Sequence, residues 1–353
     1  MSASESGKNI FSLDEVKDIV GGVDFIAALT GLVAGGLSSL YKSLTGLPEK
    51  FPSLEVLKLM HDAQSSLNLL LNIDACGPSE RYEDVNERFW NYHGALTVYY
   101  LECIILAMHS ALSAFTGHYT VAYTELRSAL ESAVTGAVFD LLAIPQYRES
   151  AKVLISMRGF AYGGKEAPSF KELIGYLEEK YGERRVERSS EILEAIDTEL
   201  KDFNPKFSFI SLLNQLESWK IIDDKTHEFI KGVYAALSEY VHRVRPLSTE
   251  TAMRLLFNKD LFPLEPIPER LDAFLRDFVE INGLLFYLLL KIFWQDIQDP
   301  TYTKCLETER IGELVERVRE LDKKGYEVWR RNLAEVEQLL KLAASAGAQR
   351  TLA

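Results

Sequence analysis

Tyr119-Thr-Val-Ala-Tyr-Thr-Glu-Leu-Arg-Ser-Ala-Leu-Glu-Ser-Ala-Val-Thr-Gly-Ala-Val-Phe-Asp-Leu-Leu142 reads as one long apolar helix carrying a polar stripe. Residues four apart share a helix face, so Tyr123, Arg127 and Glu131 fall in line on it. The run before it, residues 86–115, is apolar and rich in aromatics, and Gly117 punctuates the two. Two core helices joined by a tight glycine turn predict an antiparallel hairpin. Pro145 closes the second helix, because proline has no N–H to continue the ladder.

Working outward from this hairpin, nearly every long segment has the helical period. Residues 54–71 form one such segment, preceded by the loop Gly46-Leu-Pro-Glu-Lys-Phe-Pro52 and followed by the break Asp74-Ala-Cys-Gly-Pro-Ser79. Residues 159–168 read as a loop around Gly163-Gly164, and Ser169-Phe-Lys-Glu172 matches a capping box opening a charged helix. Residues 178–206 mix Glu, Lys and Arg, the pattern of a solvated helical face. A short amphipathic helix follows at 207–219, and Asp223-Asp-Lys-Thr226 opens another that runs to Arg245 before Pro246. A short helix to Phe257 and a proline-rich link lead to Pro268, placed where a first helical turn tolerates proline. Residues 271–294 contain the uncharged run 281–290, but Asp277, Glu280 and Lys291 argue against a membrane span. Residues 306–344 repeat apolar positions at three- and four-residue spacing, interrupted at Gly325 and Asn332, as in an outer bundle helix or a coiled-coil arm.

These elements predict an all-α protein, an antiparallel helical bundle with added N-terminal and C-terminal helices. The expected organisation is an N-terminal helical segment at 1–50, the bundle at 51–300 with a charged insertion near 146–225, and a charged C-terminal helix at 301–353. Residues 10–50 supply a capping box at Ser12-Leu-Asp-Glu15 and an uncharged stretch from 25 to 41 with Ala27, Gly31, Gly35 and Ser39 at every fourth position. Small residues at that spacing let helices approach closely, so this stretch reads as a packing helix, with membrane contact as the other reading.

A net charge of −13 argues against broad nucleic-acid binding, which grips phosphates through Lys and Arg clusters. Cys76, Cys103 and Cys305 are odd in number and far apart, with no Cys-x-x-Cys pair. This favours a reducing, cytoplasmic setting without disulfides or structural zinc. Acidic residues early in the chain and no basic stretch before an apolar core argue against a signal peptide. Phosphate-binding glycine loops, zinc-protease helices and nucleophile elbows are all missing from the sequence, and no cofactor is expected. Glu239-Tyr-Val-His242 supplies one Glu-x-x-His, but a bundle di-metal site needs a second copy, so no metal is expected either.

Two stretches carry the remaining chemistry. Tyr234-Ala-Ala-Leu-Ser-Glu-Tyr-Val-His-Arg-Val-Arg-Pro246 puts Tyr234, Ser238 and His242 on one helical stripe, and Tyr123, Arg127 and Glu131 form the stripe expected to face it. Together with Gly117-His-Tyr119 and Leu126-Arg-Ser-Ala-Leu-Glu131, this pattern resembles the HEPN-like helical superfamily over roughly residues 87–246. The resemblance implies a metal-independent ribonuclease of a stress or defence system, acting as a dimer on RNA or a ribonucleoprotein. His242 would be the base that takes the 2′-hydroxyl proton, Arg127 the charge stabiliser, and Ser238 and Glu131 the groups that orient the imidazole. Arg243, Arg245 and His118 would contact the RNA.

One departure stands against this. Nucleolytic members carry Arg, then four to six intervening residues, then the His, and this chain has Ala235, Ala236 and Leu237 at those Arg positions. The alternatives are a buried Arg127–Glu131 pair with His242 capping its helix, and a non-catalytic module binding a protein or ribonucleoprotein. His61, His93, His109 and His227 read as isolated core or surface residues.

Overall fold

A computed structural model describes residues 53–71, 91–115, 117–158, 161–162, 165–166, 168–199, 208–241, 268–297 and 308–351. Eleven helices fill almost all of it. They are α1 (Ser53–Leu71), α2 (Gly94–Phe115), α3 (Tyr119–Leu142), α4 (Pro145–Arg158), α5 (Pro168–Tyr181), α6 (Ser190–Thr198), α7 (Phe209–Ser218), α8 (Asp224–Val241), α9 (Pro268–Ile297), α10 (Thr308–Lys323) and α11 (Glu327–Thr351). Between α4 and α5, β1 (Ala161–Tyr162) and β2 (Lys165–Glu166) pair antiparallel, Ala161 with Glu166 and Tyr162 with Lys165, inside the stretch expected to be a loop. The all-α fold is as the periodicity implies.

The α2–α3 hairpin is antiparallel, because its partners move apart symmetrically from the turn. Ser113 Oγ donates to Glu125, Ser110 Oγ to the Ala122 carbonyl and Cys103 Sγ to the Ala129 carbonyl, and the Leu96 N–H reaches Asp140. The turn itself needs Gly117, whose φ of 78° is the left-handed conformation that lets the His118 N–H return to the Ser113 carbonyl at 2.8 Å. Gly136 allows the closest approach, since a Cβ there would stand 2.5 Å from Tyr99 Cβ.

Helix α3 is buried along most of its length and packs against α2, α4, α7, α8 and α9. Helix α9 is the second axis of the core. Every position of the uncharged run 281–290 is buried, and α9 packs on α1, α2, α3 and α11. The three charges that flank its apolar run each have a partner. Asp277 accepts from Tyr123, Lys291 pairs with Glu335 at 2.6 Å, and Glu280 accepts the Glu327 and Val328 N–H groups at 2.8 and 3.0 Å. Glu280 thus caps the start of α11 from a neighbouring helix, satisfying amides that have no partner within their own.

Three boundaries differ from the sequence reading. The C-terminal repeat is two helices, α10 and α11, folded back at Gly325, whose φ of 91° permits the reversal. Helix α5 begins at Pro168, so Ser169 lies inside it rather than capping it. The charged region 178–206 is broken after Tyr181: the segment from Gly182 to Ser189 is not helical and stays largely exposed, with Val186 and Ser189 as its buried residues. Two elements match the sequence pattern closely: α3 spans the quoted stretch, and Asp223 opens α8 by accepting the Thr226 N–H at 2.7 Å. The packing helix expected at 25–41, the capping box at Ser12 and the helix after Ser248 lie outside the described residues. Among the described residues, α2 is the single helix long and apolar enough to cross a membrane, with one face packed on α3 and α9.

Candidate functional site

The two polar stripes meet. Arg127 reaches from α3 to α8, where its Nη2 donates to the Tyr234 hydroxyl at 2.6 Å. Its Nε and Nη2 lie 3.1 and 3.0 Å from the same Glu131 oxygen, Oε1. The Tyr234 hydroxyl in turn donates to that oxygen at 2.8 Å, so three side chains close a triangle. The guanidinium also sits over the Tyr234 ring, 4.6 Å from its centroid, and Phe209 of α7 stacks on the same ring with centroids 4.0 Å apart. Burial, then Glu131, pushes the Tyr234 phenol up against the opposing pull of Arg127, so it stays a hydrogen-bond donor at neutral pH.

One turn before Arg127, Tyr123 donates to Asp277 at 2.9 Å and stacks on Tyr240 with ring centres 3.9 Å apart. The seam between α3 and α8 is therefore a ladder of aromatic and ionic contacts. Ser238 sits one turn beyond Tyr234 and donates its hydroxyl to the Tyr234 carbonyl at 2.7 Å, within its own helix. His118 precedes α3 and offers its carbonyl to the Ala122 N–H. His242, Arg243 and Arg245 lie outside the described residues.

A second polar cluster, with no counterpart in the sequence reading, lies at the other end of α3. His93 is 1 % exposed, with Nδ1 2.6 Å from Asp140 Oδ2 and Nε2 2.8 Å from Asp296 Oδ2. Ionised carboxylates only accept hydrogen bonds, so a ring bonded to one on each side carries a proton on both nitrogens. Burial alone would lower the His93 pKa, but Asp140 and Asp296 outweigh it and raise it. Burial would likewise raise Asp296, yet His93 and Arg185 bring it down to about 2. Arg185 pairs with Asp296 at 3.3 Å and lies 3.9 Å over the Tyr92 ring. Two cations face two anions, which is how a buried charge becomes tolerable.

The cluster also builds the start of α2. Asp140 accepts the Ser189 hydroxyl at 2.8 Å and the Leu96 N–H at 3.3 Å, and Ser189 accepts the Ala95 N–H at 2.8 Å. A carboxylate at a helix N-terminus answers both its free amides and its dipole. His93 is thus enclosed rather than isolated, and so is His227, whose Nε2 is 2.8 Å from Asn214 Oδ1. The available signal was a lone Asp within Val138-Phe-Asp-Leu-Leu142, since an acid in an apolar run needs a partner. Nothing local says that the partner is 47 residues away.

Close by, Arg148 is 1 % exposed and donates to the carbonyls of Leu142, Ala143, Gly182 and Arg184. It ties the end of α3 to the turn after α5. Burial pushes the Cys103 thiol far up, so it is an inert core group rather than a nucleophile. Among the described residues no three His, Cys, Asp or Glu side chains are grouped to hold a metal ion.

No known relative helps to read these clusters. No family model matches the chain, and neither does any curated protein or solved structure.

Proposed function

We propose that the chain is a non-catalytic helical module that binds a protein partner, with the α3–α8 seam acting as a structural lock. The observation that carries this is the state of Arg127. Its guanidinium is held by Glu131 and Tyr234, so the charge meant to meet a phosphorane is already spent on a carboxylate. Glu131 on the same spot would also repel an approaching phosphodiester. Ser238 is turned back onto its own helix, and a net charge of −13 favours a protein over an RNA partner.

A metal-independent, HEPN-like ribonuclease is the second reading. It draws support from the meeting of Arg127 with Tyr234 across 107 residues, and from the spacing that continues the Tyr234–Ser238 stripe to His242. Incubation of the purified full chain with total RNA in EDTA separates the two. Equal RNA integrity with wild type, His242→Ala and no protein is the expected result. Cleavage by the wild type that His242→Ala and Arg127→Ala both abolish, with folding retained, would overturn the binding-module reading.

A further inference from the structure

The outer face of α2 has an order that packing within the bundle does not require. Val98, Ile105 and Leu112 are 51 %, 40 % and 43 % exposed, unusual values for large aliphatic side chains in the middle of a helix. They recur every seven residues, the repeat at which two helices keep one seam against each other. Between them on the same line stand Glu102 and His109, both exposed. The exposed seam therefore reads Val98, Glu102, Ile105, His109, Leu112, each step three or four residues from the last.

This line is complementary to its own reverse. When two copies are laid antiparallel about Ile105, Ile105 meets Ile105, Val98 meets Leu112, and each Glu102 lies beside the other copy's His109, offset by one residue's rise of about 1.5 Å. In the parallel arrangement Glu102 would instead face Glu102 and His109 would face His109. Opposite groups across a helical seam set partner and direction, whereas like groups oppose pairing. We infer that the exposed face of α2 is a two-fold interface with a second copy of this chain, the two α2 helices running antiparallel with Glu102 of each beside His109 of the other.

A lipid surface is the competing occupant of an apolar helix, and α2 has the length to cross one. The line argues against it. Glu102 and His109 would sit at mid-helix depth, where a carboxylate in hydrocarbon is costly. Such polar groups are at home in the middle of a protein seam, where each finds its opposite.

Sedimentation velocity on the full chain reads the outcome, with far-UV circular dichroism confirming that each variant is folded. The wild type should be a dimer, and Ile105→Glu should weaken association by about 100-fold or more, the effect of a central contact in an interface. Glu102→Lys sets Lys against His109 and should weaken the dimer. His109→Glu sets two carboxylates together and should do the same. The double variant Glu102→Lys/His109→Glu should restore association, because the pair is only exchanged. Restoration occurs in the antiparallel register alone, so a double variant weaker than either single one overturns the arrangement. A monomeric wild type overturns the interface. So does a dimer indifferent to Ile105→Glu, or a monomer that Ile105→Glu unfolds, which would mean another part of the chain covers the face. Sedimentation of the wild type, but not Ile105→Glu, with phosphatidylcholine–phosphatidylglycerol vesicles would assign the face to lipid and overturn it equally.

Discussion

His93→Gln leaves Asp140 and Asp296 facing each other with one cation fewer and both carboxylates still out of water. Removing one partner of a buried ionic group costs about 3–5 kcal/mol, and urea denaturation near neutral pH should show a loss of that order. The pH dependence follows from the two shifts. The pKa of His93 is raised above its ordinary 6.5, so its contribution is full below that value and is lost as pH rises through the raised one. That of Asp296 is lowered from 3.8 to about 2, so its contribution is full above 3.8 and is lost as pH falls toward 2. The stability gap between wild type and His93→Gln should therefore be widest at about pH 5 and narrower at about pH 2 and about pH 10. A gap independent of pH would mean the ring is neutral and the cluster is packing alone. Residue types were legible in the sequence, but this cluster was not: its members stand 47 and 203 positions apart, and an isolated His or Asp looks alike whether enclosed or exposed. Arg127 and Tyr234 were legible, because each belongs to a polar stripe on an apolar helix and such stripes need each other.

At the scale of elements, helix limits followed their punctuation. Gly117 and Pro145 bound α3 as expected, since one supplies the left-handed turn and the other ends the ladder. Charge patterning misled at one position of the otherwise exposed segment after Gly182, because Arg185 has the composition of a surface residue and pairs with Asp296 of the core helix α9. The distance between α2 and α3 was also hidden. Gly136 in mid-helix reads as a weak point, yet a Cβ there would stand 2.5 Å from Tyr99 Cβ. Gly136→Ala gains helix propensity but must push the two helices apart, and overpacking of this kind costs about 1–3 kcal/mol. A lower thermal midpoint is the expected outcome, and an unchanged or higher one would show that the hairpin yields without cost. Lys220 offers the opposite case. It occupies the left-handed conformation at φ 59°, where the Ile221 N–H returns to the Leu216 carbonyl to end α7. Lys220→Gly should stabilise by up to about 1 kcal/mol in the same assay, because glycine adopts this conformation without the steric penalty.

For the whole molecule, the question left open by the 306–344 repeat is whether the C-terminal helices are an arm or part of the bundle. They are folded onto it: α10 packs on α1, and α11 on α9. Trp329 is the anchor, fully buried against Phe286 at 5.2 Å between ring centres, with its Nε1 donating to the Val279 carbonyl at 3.0 Å. Asn332 adds a second cross-helix bond, to the Gly283 carbonyl at 2.9 Å, so an apparent interruption in the apolar repeat is a polar tie to α9. Gly283 makes this possible, since a Cβ there would meet Trp329 Nε1 at 2.9 Å. An arm and a bundle layer respond differently to loss of this anchor. Trp329→Ala empties a large core site and breaks one hydrogen bond, which should cost about 3–5 kcal/mol and lower the unfolding midpoint of the whole chain in a single transition. In an independent arm, the same change would leave the main transition in place and remove only a separate, earlier one. Calorimetry of wild type and variant distinguishes the two, and a split transition would detach α10 and α11 from the cooperative core.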